Sequence, residues 1–80
     1  MKCSFIGFKV IESKKGDIFY KLFFTKDISK KDKGYGQECF DEFTSHDFCN
    51  YDDCLFPCDV DVEYSKGFDG KATVEDITLL

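Results

Sequence analysis

Apolar and polar residues alternate with a period of two along most of this chain, which is the mark of half-buried β-strands rather than helices. Residues 4–12, Ser-Phe-Ile-Gly-Phe-Lys-Val-Ile-Glu, put Ile6, Phe8 and Val10 on one face and Phe5, Gly7, Lys9 and Ile11 on the other. Gly7 within the run predicts a bulge or bend, as in a strongly curled sheet. After a turn at Ser13–Asp17, residues 18–25 put Ile18, Tyr20, Leu22 and Phe24 on one face and Phe19, Lys21, Phe23 and Thr25 on the other. These two runs predict a β-hairpin. A third strand is expected around Gln37–Thr44. In a fourth, Val60, Val62 and Tyr64 alternate with Asp59, Asp61 and Glu63. A turn over Ser65–Gly70 then leads to a fifth, over residues 71–80. Lys26–Gly36 has no apolar period and reads as a lysine-rich loop carrying one aromatic, Tyr35. Residues 45–56 predict either a short helix starting near Ser45 or an irregular crossing.

Five short strands with two hairpins must hide their edges, and closure into a small barrel does so. The expectation is an all-β, five-stranded Greek-key barrel of the OB type, favoured over an SH3-like barrel by strand number and the glycine-bent first strand. At 80 residues the chain has room for one domain over 1–80 and no deep, enclosed pocket. Ten Phe and four Tyr are too many for a disordered chain. No apolar run approaches the roughly 20 residues of a membrane span, and Gly7 and Lys9 interrupt the N-terminal run where a secretory signal needs continuity.

The net charge of -5 at first argues against a nucleic-acid partner. Its distribution changes that picture. Up to Lys33 the chain holds nine lysines against four acids, a balance of +5; beyond it, two lysines face twelve acids, a balance of -10. No Arg is present, so every cation is a point-like ammonium, suited to phosphate and poorly suited to bidentate base reading.

The five cysteines, Cys3, Cys39, Cys49, Cys54 and Cys58, are odd in number and follow no signal-like segment, which predicts reduced thiols in a cytoplasmic protein. Zinc accepts thiolate and imidazole, but Cys39, His46, Cys49, Cys54 and Cys58 contain none of the CxxC pairs usual in structural sites. The expectation is therefore packing thiols, with no metal and no cofactor. Nothing supplies an oxyanion site or a base-orienting residue for a Cys–His pair, so no enzymatic role is expected.

The stretch Gly7-Phe-Lys-Val-Ile-Glu-Ser-Lys-Lys-Gly-Asp-Ile-Phe-Tyr-Lys-Leu22 resembles the opening of the small phage and plasmid single-stranded-DNA-binding proteins of the gene V type. Gly34–Phe43 and Asp59–Leu80 resemble later strands of that family. The resemblance implies an OB fold, a dimer that coats single strands during replication or transfer, and a basic hairpin loop that projects to DNA, here Lys26–Tyr35. The chain departs from the family in lacking Arg and in the acidic, cysteine-rich segment 47–63.

The residues independently suggest the same chemistry. If Ile18, Tyr20, Leu22 and Phe24 face the core, Phe19, Lys21 and Phe23 face outward beside Lys9; the alternative is that Phe19 and Phe23 are core on the other side of a tightly curled barrel, with Lys9 and Lys21 as a solvated rim. Aromatics interleaved with lysines stack bases and neutralise phosphates. The candidate nucleic-acid-binding residues are thus Lys9, Phe19, Lys21, Phe23, Lys30, Lys31, Lys33 and Tyr35. The competing expectation is an acidic module, or a DNA-mimicking inhibitor, that binds a basic protein through Asp59, Asp61 and Glu63. No membrane partner is expected.

Overall fold

The computed structural model describes residues 1–29, 31, 33–67 and 70–80. Five antiparallel strands form one sheet: β1 (Lys2–Glu12), β2 (Ile18–Asp27), β3 (Gln37–Thr44), β4 (Cys58–Lys66) and β5 (Ala72–Leu79). Their order is β3-β2-β1-β4-β5. Three consecutive strands form a meander and the fourth returns beside the first, which is the Greek-key arrangement. Among the described residues no helix is long and apolar enough to cross a membrane.

The all-β expectation holds, but the sheet is curled rather than closed into a barrel, because its edge strands β3 and β5 are not hydrogen-bonded to one another. Side chains bridge the seam instead: the Tyr64 hydroxyl donates to Glu42 Oε1 at 2.9 Å. Phe40, Tyr64 and Ala72 line a gap of about 380 Å³ there.

β1 holds the two parts of the sheet together. Its first residues, Lys2–Phe5, pair with Cys58–Asp61 of β4, while Ser4–Glu12 pair with β2. The register shifts between Phe5 and Gly7, so Ile6 is the extra residue of a bulge. The bend foreseen at Gly7 is therefore present, and it corrects the simple alternation. Phe5 and Phe8 do not lie on opposite faces: the inserted residue changes the parity, so both turn inward and both contact Tyr51.

The buried core consists of Cys3, Phe5, Leu22, Phe24, Tyr51, Val60, Val62 and Ile77. All but Tyr51 come from strands. Phe5 stacks on Phe24 at 5.1 Å, and Phe24 stacks on Phe40 at 5.1 Å, so β1, β2 and β3 share one aromatic layer. The hairpin tip overhangs this core: Val10 and Ile18 stay 54% and 45% exposed although they continue the inward rows of Phe8 and Tyr20.

Tyr51 fills the core from the crossing segment, which is neither helical from Ser45 nor wholly irregular. Thr44 Oγ1 accepts from the His46 amide at 3.1 Å, and Asp47 Oδ1 accepts from the Tyr51 amide at 3.0 Å. A 3-10 turn then covers Tyr51–Asp53. Asp47, rather than Ser45, thus supplies the side-chain acceptor that organises the turn. The Tyr51 hydroxyl donates to the His46 carbonyl at 2.7 Å, so the buried ring leaves no polar atom unpaired.

This packing sets an alkaline limit. Burial, reinforced by the neighbouring Cys54, pushes the Cys49 thiol from the ordinary 9.0 up to about 12. Burial also raises Tyr51, and burial with the Glu42 hydrogen bond raises Tyr64. An acid whose folded pKa is raised holds its proton more tightly folded than unfolded, so its contribution is complete below the unfolded value and is lost as pH climbs. Under reducing conditions the urea midpoint is expected to fall progressively above pH 9.0, the unfolded thiol value. A midpoint unchanged up to pH 12, the folded Cys49 value, would contradict this assignment.

Candidate nucleic-acid interface

The side of β1–β2–β3 turned away from the core carries four of the candidate residues. β2 sets the pattern: Leu22 and Phe24 are fully buried, and the intervening Lys21 and Phe23 point the other way. Cross-strand pairing extends it. Lys9 lies opposite Lys21, which lies opposite Phe43; Gly7 lies opposite Phe23, which lies opposite Asp41; Ile11 lies opposite Phe19. Phe19 and Phe23 are half-buried but are not among the rings packed on the core cluster. The alternative that they are core on the far side of a tight barrel does not hold, since the sheet is not closed and the core cluster includes neither ring.

Phe43 was not singled out from sequence. It is 56% exposed and its ring lies 5.6 Å from that of Phe19. The signal lay in β3, where Cys39, Asp41 and Phe43 alternate with the inward Phe40, Glu42 and Thr44. A groove of about 310 Å³ beside Phe23 is lined further by Ile6, Phe40 and Asp41.

Charges on this face are arranged in short range. Lys9 and Lys21 are directly opposed like charges, a mutually unfavourable pairing that an anion relieves. Asp41 partly answers it: Lys21 Nζ sits 3.2 Å from Asp41 Oδ2 and 5.8 Å from the Phe23 ring centroid. The lysine and carboxylate are 34% and 54% exposed, so the pair is of the weak surface kind. Lys26 is tied in the same way to Glu38 at 3.2 Å.

The basic loop occupies the other end of β2. Its neck is fixed by the Ile28 amide donating to the Gly36 carbonyl at 2.9 Å and by Gln37 Nε2 donating to Asp27 Oδ1 at 3.2 Å. Gly34 is required there, since a Cβ would stand 2.8 Å from Ile28 Cγ2. Lys31 and Lys33 are exposed, and Tyr35 is 98% exposed. Lys30 lies outside the described residues, as do Asp32 of this loop and Phe68 and Asp69 of the β4–β5 turn.

The candidates therefore fall into two groups. Lys9, Phe19, Lys21 and Phe23 share one sheet face, joined by Phe43. Lys31, Lys33 and Tyr35 stand beyond its far end; the eight steps along the strand from Phe19 to Asp27 span about 27 Å at strand rise. Glu38, Asp41 and Glu42 of the acidic half lie on β3 beside these residues, and others lie elsewhere. On β4–β5, Glu63 faces Asp76 across the ladder, and Asp59 and Asp61 continue the outward row of Glu63.

Among the described residues no group of three or more His, Cys, Asp or Glu side chains is arranged to hold a metal ion. A search against protein-family models, curated proteins and solved structures found no significant match to the chain.

Proposed function

We propose that this protein binds single-stranded nucleic acid without base preference across the outer face of β1–β2–β3. The observation that carries this reading is the Phe19–Phe43 pair, which lies outside the core beside Lys9 and Lys21. Rings at a solvent-facing surface with ammonium groups alongside provide what an unpaired strand presents, a base to stack and a phosphate to neutralise. Phe23 extends the track along β2, and Lys31, Lys33 and Tyr35 continue it at the loop. The absence of Arg favours backbone neutralisation over base reading. The gene V-type resemblance implies the same role, in replication or transfer of a phage or plasmid, with a cytoplasmic homodimer as the working unit.

Labelled oligo-dT titrated with the protein tests this directly. With about four lysines on phosphates, log affinity falls against log salt with a slope of about -3, or about 50-fold between 50 and 200 mM. Micromolar binding at low salt that weakens in this way is the expected result. No binding at low salt, where attraction is greatest, would overturn it.

That failure would favour a second reading, a module that presents its acidic β4–β5 face to a basic protein. The specific observation behind it is Glu63 set directly opposite Asp76, a like-charge pair that a cationic partner would relieve.

A further inference from the structure

We propose that Cys49 and Cys54 are a modification site, where hydrogen peroxide or a similar two-electron oxidant closes an intramolecular disulfide. The two sulfur atoms lie 4.0 Å apart. The chain brings them together by one tight reversal. Asn50 takes a left-handed conformation, the Asp53 amide donates to the Asn50 carbonyl at 2.9 Å, and the Cys54 amide donates to the Tyr51 carbonyl at 3.2 Å. Tyr51, in the middle of that reversal, is anchored in the core, so both ends of the loop are held in place. A disulfide needs the sulfurs at roughly 2.05 Å, and rotation of two half-buried side chains on a short loop closes much of the difference.

Cys58, whose thiol pKa burial raises, is also near enough to Cys54 for that thiol to raise it further. It is less free to approach. It sits in β4, paired with Phe5 across the ladder, with its Sγ directed at the Phe5 carbonyl at 3.9 Å. Cys39 lies on the outer face of β3, on the other side of the sheet from this loop. The geometry therefore singles out one pair among the five cysteines.

The reaction begins at Cys54, in the thiolate form that attacks peroxide. Its thiolate takes one peroxide oxygen, the O–O bond breaks, and a Cys54 sulfenic acid and hydroxide result. The Cys49 sulfur then attacks the Cys54 sulfur, the S–O bond breaks, and the hydroxyl departs as water with the Cys49 proton. Two thiols thus lose two electrons and two protons to one peroxide, which becomes two waters. In a reducing compartment such a bond is transient.

The test uses the reduced full chain at low concentration, treated with hydrogen peroxide. Remaining thiols are then blocked with N-ethylmaleimide in denaturant, and fragments from chymotrypsin, which cuts after Tyr51, are read by mass spectrometry. The expected result is loss of two of the five thiols, a linked pair of fragments holding Cys49 and Cys54, and recovery of both thiols with dithiothreitol. Cys58→Ser is expected to retain the link and Cys54→Ser to abolish it. Linkage of Cys54 to Cys58, or all five thiols remaining free in the wild-type protein, would overturn the proposal without reliance on any variant's folding.

Discussion

Replacement of Tyr51 by Ala is expected to cost about 3–5 kcal/mol of stability, the range for truncating a large buried ring. The ring is fully buried and meets Phe5 at 5.7 Å, Phe8 at 5.4 Å and Tyr20 at 5.1 Å. A small domain has only about 5–15 kcal/mol in total, so the variant is expected to be largely unfolded at moderate urea concentrations where the wild type remains native. Tyr51→Phe keeps the ring and deletes only the hydroxyl that donates to the His46 carbonyl. Its expected cost is about 1 kcal/mol, the net worth of one hydrogen bond. Urea melts of the two variants separate the roles. Equal losses would mean that the hydroxyl, not the ring, anchors the crossing segment. A Tyr51→Ala melt matching wild type would remove Tyr51 from the core altogether.

The second large effect concerns binding and should leave the fold intact. Phe43→Ala is expected to weaken oligo-dT binding by about 5- to 150-fold, since one stacked base is worth about 1–3 kcal/mol. Phe43 is exposed and outside the core, so its urea midpoint should stay near that of wild type. Phe19→Ala is expected to give a similar loss. The double variant should lose less than the product, because rings 5.6 Å apart form one stacking platform. Unchanged affinity in both single variants, with folding intact, would remove the nucleic-acid role from this face. A fall in stability like that of Tyr51→Ala would make Phe43 a structural ring instead.

How far the chain could be read in advance differs from element to element, for physical reasons. Strands with clean alternation were legible with near-final boundaries. Val60, Val62 and Tyr64 turn inward on β4 as their spacing with Asp59, Asp61 and Glu63 requires. The outward placing of Phe19, Lys21 and Phe23 followed from β2 alone, because nothing interrupts its pleat. β1 was different. Gly7 announced a bend, yet only the pairing register reveals which residue is extra, and that one residue decides whether Phe5 and Phe8 agree. Tyr51 escaped notice because its neighbours are acidic residues and cysteines, with no period of either kind. Its burial depends on a tertiary space between strands distant in sequence. Phe43 was missed for a related reason. Its importance comes from lying beside Phe19 on the next strand, which depends on how β2 and β3 are aligned. Closure of the sheet was the least legible feature, since it turns on whether Phe40 and Tyr64 fit between two edges or hold them apart.

The short ladder between β1 and β4 has a dynamic consequence. Among the described residues, four paired positions, Lys2–Phe5 with Cys58–Asp61, extended by the backbone bonds between Met1 and Val62, carry the strand pairing between the β1–β2–β3 meander and the β4–β5 hairpin. Across the seam the two parts meet through side chains. The backbone link between the two parts is thus narrow, and their common core of Phe5, Leu22, Phe24, Val60, Val62 and Ile77 couples them, so loss of one core side chain is expected to loosen both at once.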